Sequence, residues 1–81
     1  METEIAVSDF ARLAVLDLKA VAPIRSERVG SRYWAYFKES QARKLLESYE
    51  NGTLKVIARD YDSAMKRTKD RIFESERNQN K

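Results

Sequence analysis

The sequence predicts a small α+β domain: a short antiparallel sheet with helices packed on one side of it. Residues 32–38, Arg-Tyr-Trp-Ala-Tyr-Phe-Lys, alternate with the period of a strand. Apolar residues recur at helical spacing in three other segments, around residues 9–21, 40–51 and 58–76. Pro23, Gly30 and Gly52 fall between these segments, where a chain turns.

Taken in order, Ile5-Ala6-Val7 is a short strand candidate with Ile5 and Val7 on one face. Ser8 offers a cap and Asp9 suits the first turn of a helix expected to reach Val21. Phe10, Ala11, Leu13, Ala14, Val15, Leu18 and Val21 cover so wide an arc that this helix should be central, with Asp17 and Lys19 left for solvent. Pro23 is expected to end it, because the residue before proline is pushed out of helical geometry.

A hairpin follows, from Ile24 to Arg28 and from Arg32 to Lys38, turning through Val29-Gly30 or Gly30-Ser31. Both two-residue turns give the same parity, whereas a three-residue loop would swap the pairing and with it the assignment of faces. Ile24, Ser26, Arg28, Tyr33, Ala35 and Phe37 share a core face, while Arg25, Glu27, Val29, Arg32, Trp34, Tyr36 and Lys38 share the other. Ser40 is expected to cap a second helix whose stripe is Ala42, Leu45, Leu46 and Tyr49, stopped by Asn51-Gly52. Leu54 to Ile57 is extended and a candidate edge strand. A third helix should run to about Glu76 with Tyr61, Ala64, Met65, Thr68 and Ile72 inward. The predicted order is β-α-β-β-α-(β)-α in one domain over residues 1–76, with a polar, disordered tail at 77–81.

Composition narrows the function. A chain of 81 residues has room for one modest core. Its net charge of +3 is a mixed, mildly basic balance, less lopsided than a dedicated DNA-binding domain. The acidic start Met1-Glu2-Thr3-Glu4 lacks a signal peptide's basic region, and nothing approaches the roughly 20 apolar residues of a membrane span, so a cytoplasmic protein is expected. Histidine and cysteine are both absent, which removes the usual general base, thiol nucleophiles and thiolate metal sites. Two glycines cannot build a phosphate-cradling loop. The pairs Asp60 with Asp62 and Glu47 with Glu50 lack a third ligand at motif spacing for a hard cation. No catalytic, metal or cofactor residues are assigned, and the chain is expected not to be an enzyme.

What remains is the second face of the aromatic strand. Residues 32–38 hold four of the eight aromatics, including the single tryptophan. Arg25, Arg32, Trp34, Tyr36 and Lys38 together have the makings of a partner-binding surface, since Trp, Tyr and Arg are frequent interface anchors. They also suit a single-stranded nucleic acid, with rings for bases and cations for phosphates. RNA-recognition modules place such rings on a central strand, but Ile5-Ala6-Val7 supplies no second stacking aromatic. The plainer alternative packs Trp34 and Tyr36 beneath the third helix or a second subunit. The cluster Lys66, Arg67, Lys69 and Arg71 spreads around its helix and is expected to be solvated surface. A protein partner or a second copy is the leading expectation, and nucleic acid the alternative.

The run from Ala42 to Val56, containing Tyr49-Glu50-Asn51-Gly52 and Leu54-Lys55-Val56, followed by Ala58, Arg59, Tyr61, Ala64, Lys69, Ile72 and Phe73, resembles a family of small bacterial and phage-encoded single-domain proteins of unknown function. The N-terminal half agrees in layout, so the resemblance spans most of residues 3–74. It implies the same fold and a phage or mobile-element setting. Its motifs are packing and capping signals, and they carry no catalytic or binding residue.

Overall fold

A computed structural model describes residues 3–79. Along the chain run β1 (Glu4–Val7), α1 (Phe10–Leu18), β2 (Arg25–Val29), β3 (Arg32–Lys38), α2 (Glu39–Glu50) and α3 (Ala58–Gln79). The sheet is antiparallel in the order β1-β3-β2, which makes the aromatic strand its centre. All three helices lie on one side, closing a core of Val7, Leu13, Leu16, Tyr33, Ala35, Phe37, Ala42 and Leu46.

The hairpin turns through Gly30-Ser31, with Val29 opposite Arg32. Gly30 has φ +63° and Ser31 does not share the positive φ, the pattern of a type II′ turn. That register sends Tyr33, Ala35 and Phe37 inward, and all three are buried. On α2, Ala42 and Leu46 are buried with Leu45 and Tyr49 beside them, as the stripe requires. On α3, Ala64 and Thr68 are buried between the half-buried Tyr61, Met65 and Ile72. The Thr68 hydroxyl donates to the Ala64 carbonyl at 2.8 Å, so its burial leaves no orphaned donor.

The ends of α1 depart from expectation. Asp9, not Ser8, caps it, its Oδ2 accepting the Arg12 amide at 3.0 Å. The helix stops at Leu18, well before Pro23. Ala20 takes φ 60°, the Ala20 amide donates to the Asp17 carbonyl at 3.0 Å, and the Val21 amide donates to that of Leu16 at 2.9 Å. This paired closure is a Schellman motif with alanine where glycine is usual. Val21 then packs against the core instead of extending the helix. As predicted, α1 is central: Leu13, Ala14, Val15 and Leu16 are all buried.

Asp17 is not the solvent-facing residue expected. Its side chain is only 13% exposed and accepts from Arg67 Nε at 2.7 Å and Arg71 at 3.2 Å, joining α1 to α3. Ile24, placed on the core face, is half exposed, because it precedes β2 at the sheet's edge and the helices do not reach it. Its amide still donates to the Tyr36 carbonyl at 2.7 Å. Farther along that edge, Arg28 donates to the carbonyls of Ser31 at 2.9 Å and Ile72 at 3.3 Å, tying β2 to α3.

Ser40 does not hold the cap position of α2. The helix begins at Glu39, with Lys38 at the N-cap and no side-chain cap bond. Asn51-Gly52 ends α2 as expected: Gly52 has φ 77°, and the Thr53 amide closes back on the Ser48 carbonyl at 3.0 Å. Leu54 to Ile57 forms no strand. It runs beside the end of α1, where Lys55, Val56, Ile57 and Asp60 share a cleft with Leu18 and Lys19. α3 continues past Glu76 to Gln79, and the expected tail beyond it lies outside the described residues.

Candidate partner-binding face

The period-two alternation of β3 that buries Tyr33, Ala35 and Phe37 turns Arg32, Trp34, Tyr36 and Lys38 to the opposite side. β2 adds Arg25, Glu27 and Val29 to that side, opposite Tyr36, Trp34 and Arg32 respectively. β1 adds Glu4 opposite Lys38 and Ala6 opposite Tyr36. The five residues singled out from sequence, Arg25, Arg32, Trp34, Tyr36 and Lys38, therefore share one surface. No helix covers it. Trp34 and Tyr36 are half-buried and Arg25, Arg32 and Lys38 are exposed. The alternative that placed both rings beneath α3 is overturned, since α3 packs on α1 and β2 from the other side.

The polar groups of this face are partly ordered among themselves. The Arg25 guanidinium lies over the Tyr36 ring, 3.8 Å from its centroid, and pairs with Glu4 at 3.2 Å. The Tyr36 hydroxyl donates to Glu27 Oε1. That bond holds the Tyr36 phenol above its ordinary pKa of 10.0, with desolvation and the Glu27 charge adding to it and Arg25 opposing. Arg32 sits 5.9 Å from the Trp34 centroid and donates to Ser8 Oγ at 3.4 Å. Among the described residues, no carboxylate lies within ion-pair distance of Arg32 or Lys38. Among the described residues, the face carries three cations against two carboxylates, Glu4 and Glu27.

Glu4 is the member that sequence reading missed. The alternation in Glu4-Ile5-Ala6-Val7 put it on the polar side of β1, but nothing local showed that β1 would pair with β3. The cationic cluster on α3 is engaged elsewhere. Arg67 and Arg71 hold Asp17, Lys66 pairs with Asp62 at 3.3 Å, and Lys69 lies 5.8 Å from the Phe73 ring centroid.

No grouping of three or more metal-competent side chains occurs among the described residues. None of the helices described is long and apolar enough to cross a membrane. No protein-family model, no curated protein and no solved structure matches this chain.

Proposed function

We propose that the chain is a small non-enzymatic interaction module that binds a protein, or a second copy of itself, through the Arg25, Arg32, Trp34, Tyr36 and Lys38 face. One observation carries the reading. All three helices close one side of the sheet, while the side bearing the only tryptophan stays open at the sheet's central strand. A half-buried Trp and Tyr flanked by arginines are the residue types that dominate interface energies. The cytoplasm is the setting proposed, and a phage or mobile-element origin rests on the family resemblance alone.

The same face is a weaker nucleic-acid platform. Arg25 already occupies one side of the Tyr36 ring, so a base would have to displace it. Among the described residues, Glu4 and Glu27 offset two of the face's three cations, where a phosphate track needs a clear positive excess.

The test compares what immobilised wild-type protein and its Trp34→Ala variant retain from a cell extract at near-physiological salt. Proteins held by the wild type and lost from Trp34→Ala are expected; identical sets would sink the reading. In parallel, Trp34 emission is followed during titration with single- and double-stranded oligonucleotides. Quenching that weakens steeply with salt would move the face to nucleic acid.

A further inference from the structure

We infer that the partner presents an amphipathic helix whose apolar stripe covers Trp34 and Tyr36 and whose ends carry carboxylates for Arg32 and Lys38. This rests on the protein-binding reading of the face and goes beyond it by naming the shape and charge of the occupant.

Size comes first. Three strands about 4.8 Å apart and the seven residues of β3 at about 3.3 Å each give a footprint near 14 by 23 Å, roughly 330 Å². A stable globular interface needs about 800 Å² per partner, so a second copy would have to engage surface beyond these strands as well. A single helix, about 10–12 Å across with its side chains, fits that footprint. An extended peptide does not suit it, because a strand lying on a sheet's face finds no backbone partners, whereas a helix satisfies its own.

Charge then sets the ends. Arg25 is held by Glu4, which stands opposite Lys38, and Glu27 accepts from Tyr36, so both carboxylates of the described face are already engaged. Arg32 and Lys38 stand six residues apart on β3, about 20 Å, one beyond each end of the Trp34 and Tyr36 patch. A helix spans that distance in about 13 residues. Lys38 adds a second sign of the same kind. It occupies the N-cap position of α2, where the helix dipole disfavours a cation and no side-chain cap bond forms. An approaching carboxylate would meet the ammonium and relieve the cation's contact with the helix dipole, which Glu39 in the first turn of α2 offsets only in part.

The experiment selects binders from a phage-displayed library of randomised helical peptides, about 16 residues long, on the immobilised full chain. Trp34→Ala and the double variant Arg32→Glu, Lys38→Asp serve as counter-targets, their folding checked by circular dichroism. The expected clones need Trp34, place Asp or Glu at both ends of an apolar stripe, and bind the charge-reversed chain at least about tenfold more weakly. Clones that need Trp34 but lack acidic ends, or that tolerate the reversal, overturn this inference and leave the protein-binding reading standing. If no clone responds to Trp34→Ala, the inference falls and the reading beneath it is weakened with it.

Discussion

Replacing Ala20 by glycine should stabilise this protein, and the structure gives both the size of the effect and its internal control. α1 and α2 end in the same motif, one on Ala20 at φ 60° and the other on Gly52 at φ 77°. A left-handed conformation costs a residue with a Cβ about 1–2 kcal/mol. Glycine escapes that cost but gives the unfolded chain extra freedom, worth about 0.4–1 kcal/mol in the opposite direction. The difference leaves Ala20→Gly more stable by about 0.5–1 kcal/mol. For a domain of this size, that raises Tm by about 3–6 °C. Gly52→Ala should reverse the sign at similar magnitude. A Cβ built at Gly52 meets nothing within 4 Å, so neither a clash nor a new contact clouds the measurement.

Urea and thermal unfolding, followed by far-UV circular dichroism and Trp34 emission, would measure both variants. The denaturant slope should stay constant, because neither change alters the buried surface. The double variant should return close to wild type, since the two turns close different helices. A neutral or destabilising Ala20→Gly would show that the Ala20 turn is not strained, and a harmless Gly52→Ala would remove the basis of the comparison.

Three further outcomes test other parts of the fold. Asp17→Ala should cost about 1–2 kcal/mol in urea unfolding: the carboxylate is mostly buried between two arginines, but those arginines are half exposed and solvent screens them. Asp17→Asn keeps the acceptor and removes the charge, so it should lose nearly as much, and an Asn variant as stable as wild type would argue against a charge-dependent joint. Ile57 stands at the N-cap of α3, its carbonyl accepting the Tyr61 amide at 3.0 Å, and it is 69% exposed. Ile57→Asp should therefore add about 1 kcal/mol, read from Tm, and no gain would mean that Ile57 makes a contact worth as much as the cap. The Tyr36 phenol is held above 10.0 by Glu27, so its contribution to stability is full below that pH and is lost as pH rises through the raised folded value. An NMR titration of the ring should show the Tyr36 midpoint falling toward 10 in Glu27→Gln, and an unmoved midpoint would break the assignment.

The central features were legible because the hairpin closes through a two-residue turn, Gly30-Ser31, as the sequence predicts, where a three-residue loop would have swapped the faces. Either candidate turn at Gly30 sends Tyr33, Ala35 and Phe37 to one face and Trp34 and Tyr36 to the other, so the candidate face followed before the strand order was known. The stripes of α2 and α3 followed from spacing in the same way. What sequence did not show was which distant residues meet. Asp17 looked like a solvated position until Arg67 and Arg71, some fifty residues on, closed over it. Leu54 to Ile57 has strand-forming residues but runs beside the end of α1, where no strand is available to pair with it. Ala20 is illegible for another reason: nothing marks an alanine for the left-handed region, so from sequence Pro23 is the nearest stop.

Ala20, Lys38 and Ile57 each break a local rule, and a chain that repaired all three would be more stable. Sequences tend to keep such breaks where something else depends on them. Only Lys38 lies on the open aromatic face; Ala20 and Ile57 sit at helix ends on the helical side of the sheet. That position separates the three experimentally. Lys38→Ser supplies the missing cap of α2 and removes a cation from the positive end of its dipole, so it should gain about 1 kcal/mol in unfolding. If Arg32 and Lys38 hold the ends of a partner helix, the same change should weaken that partner's binding several-fold, because a charge pair at the rim of an interface is lost. Ala20→Gly and Ile57→Asp should gain stability and leave binding untouched. A Lys38→Ser variant that is more stable and binds as tightly as wild type would leave the cation without a role on the face, and the dipole cost at α2 without a compensating gain.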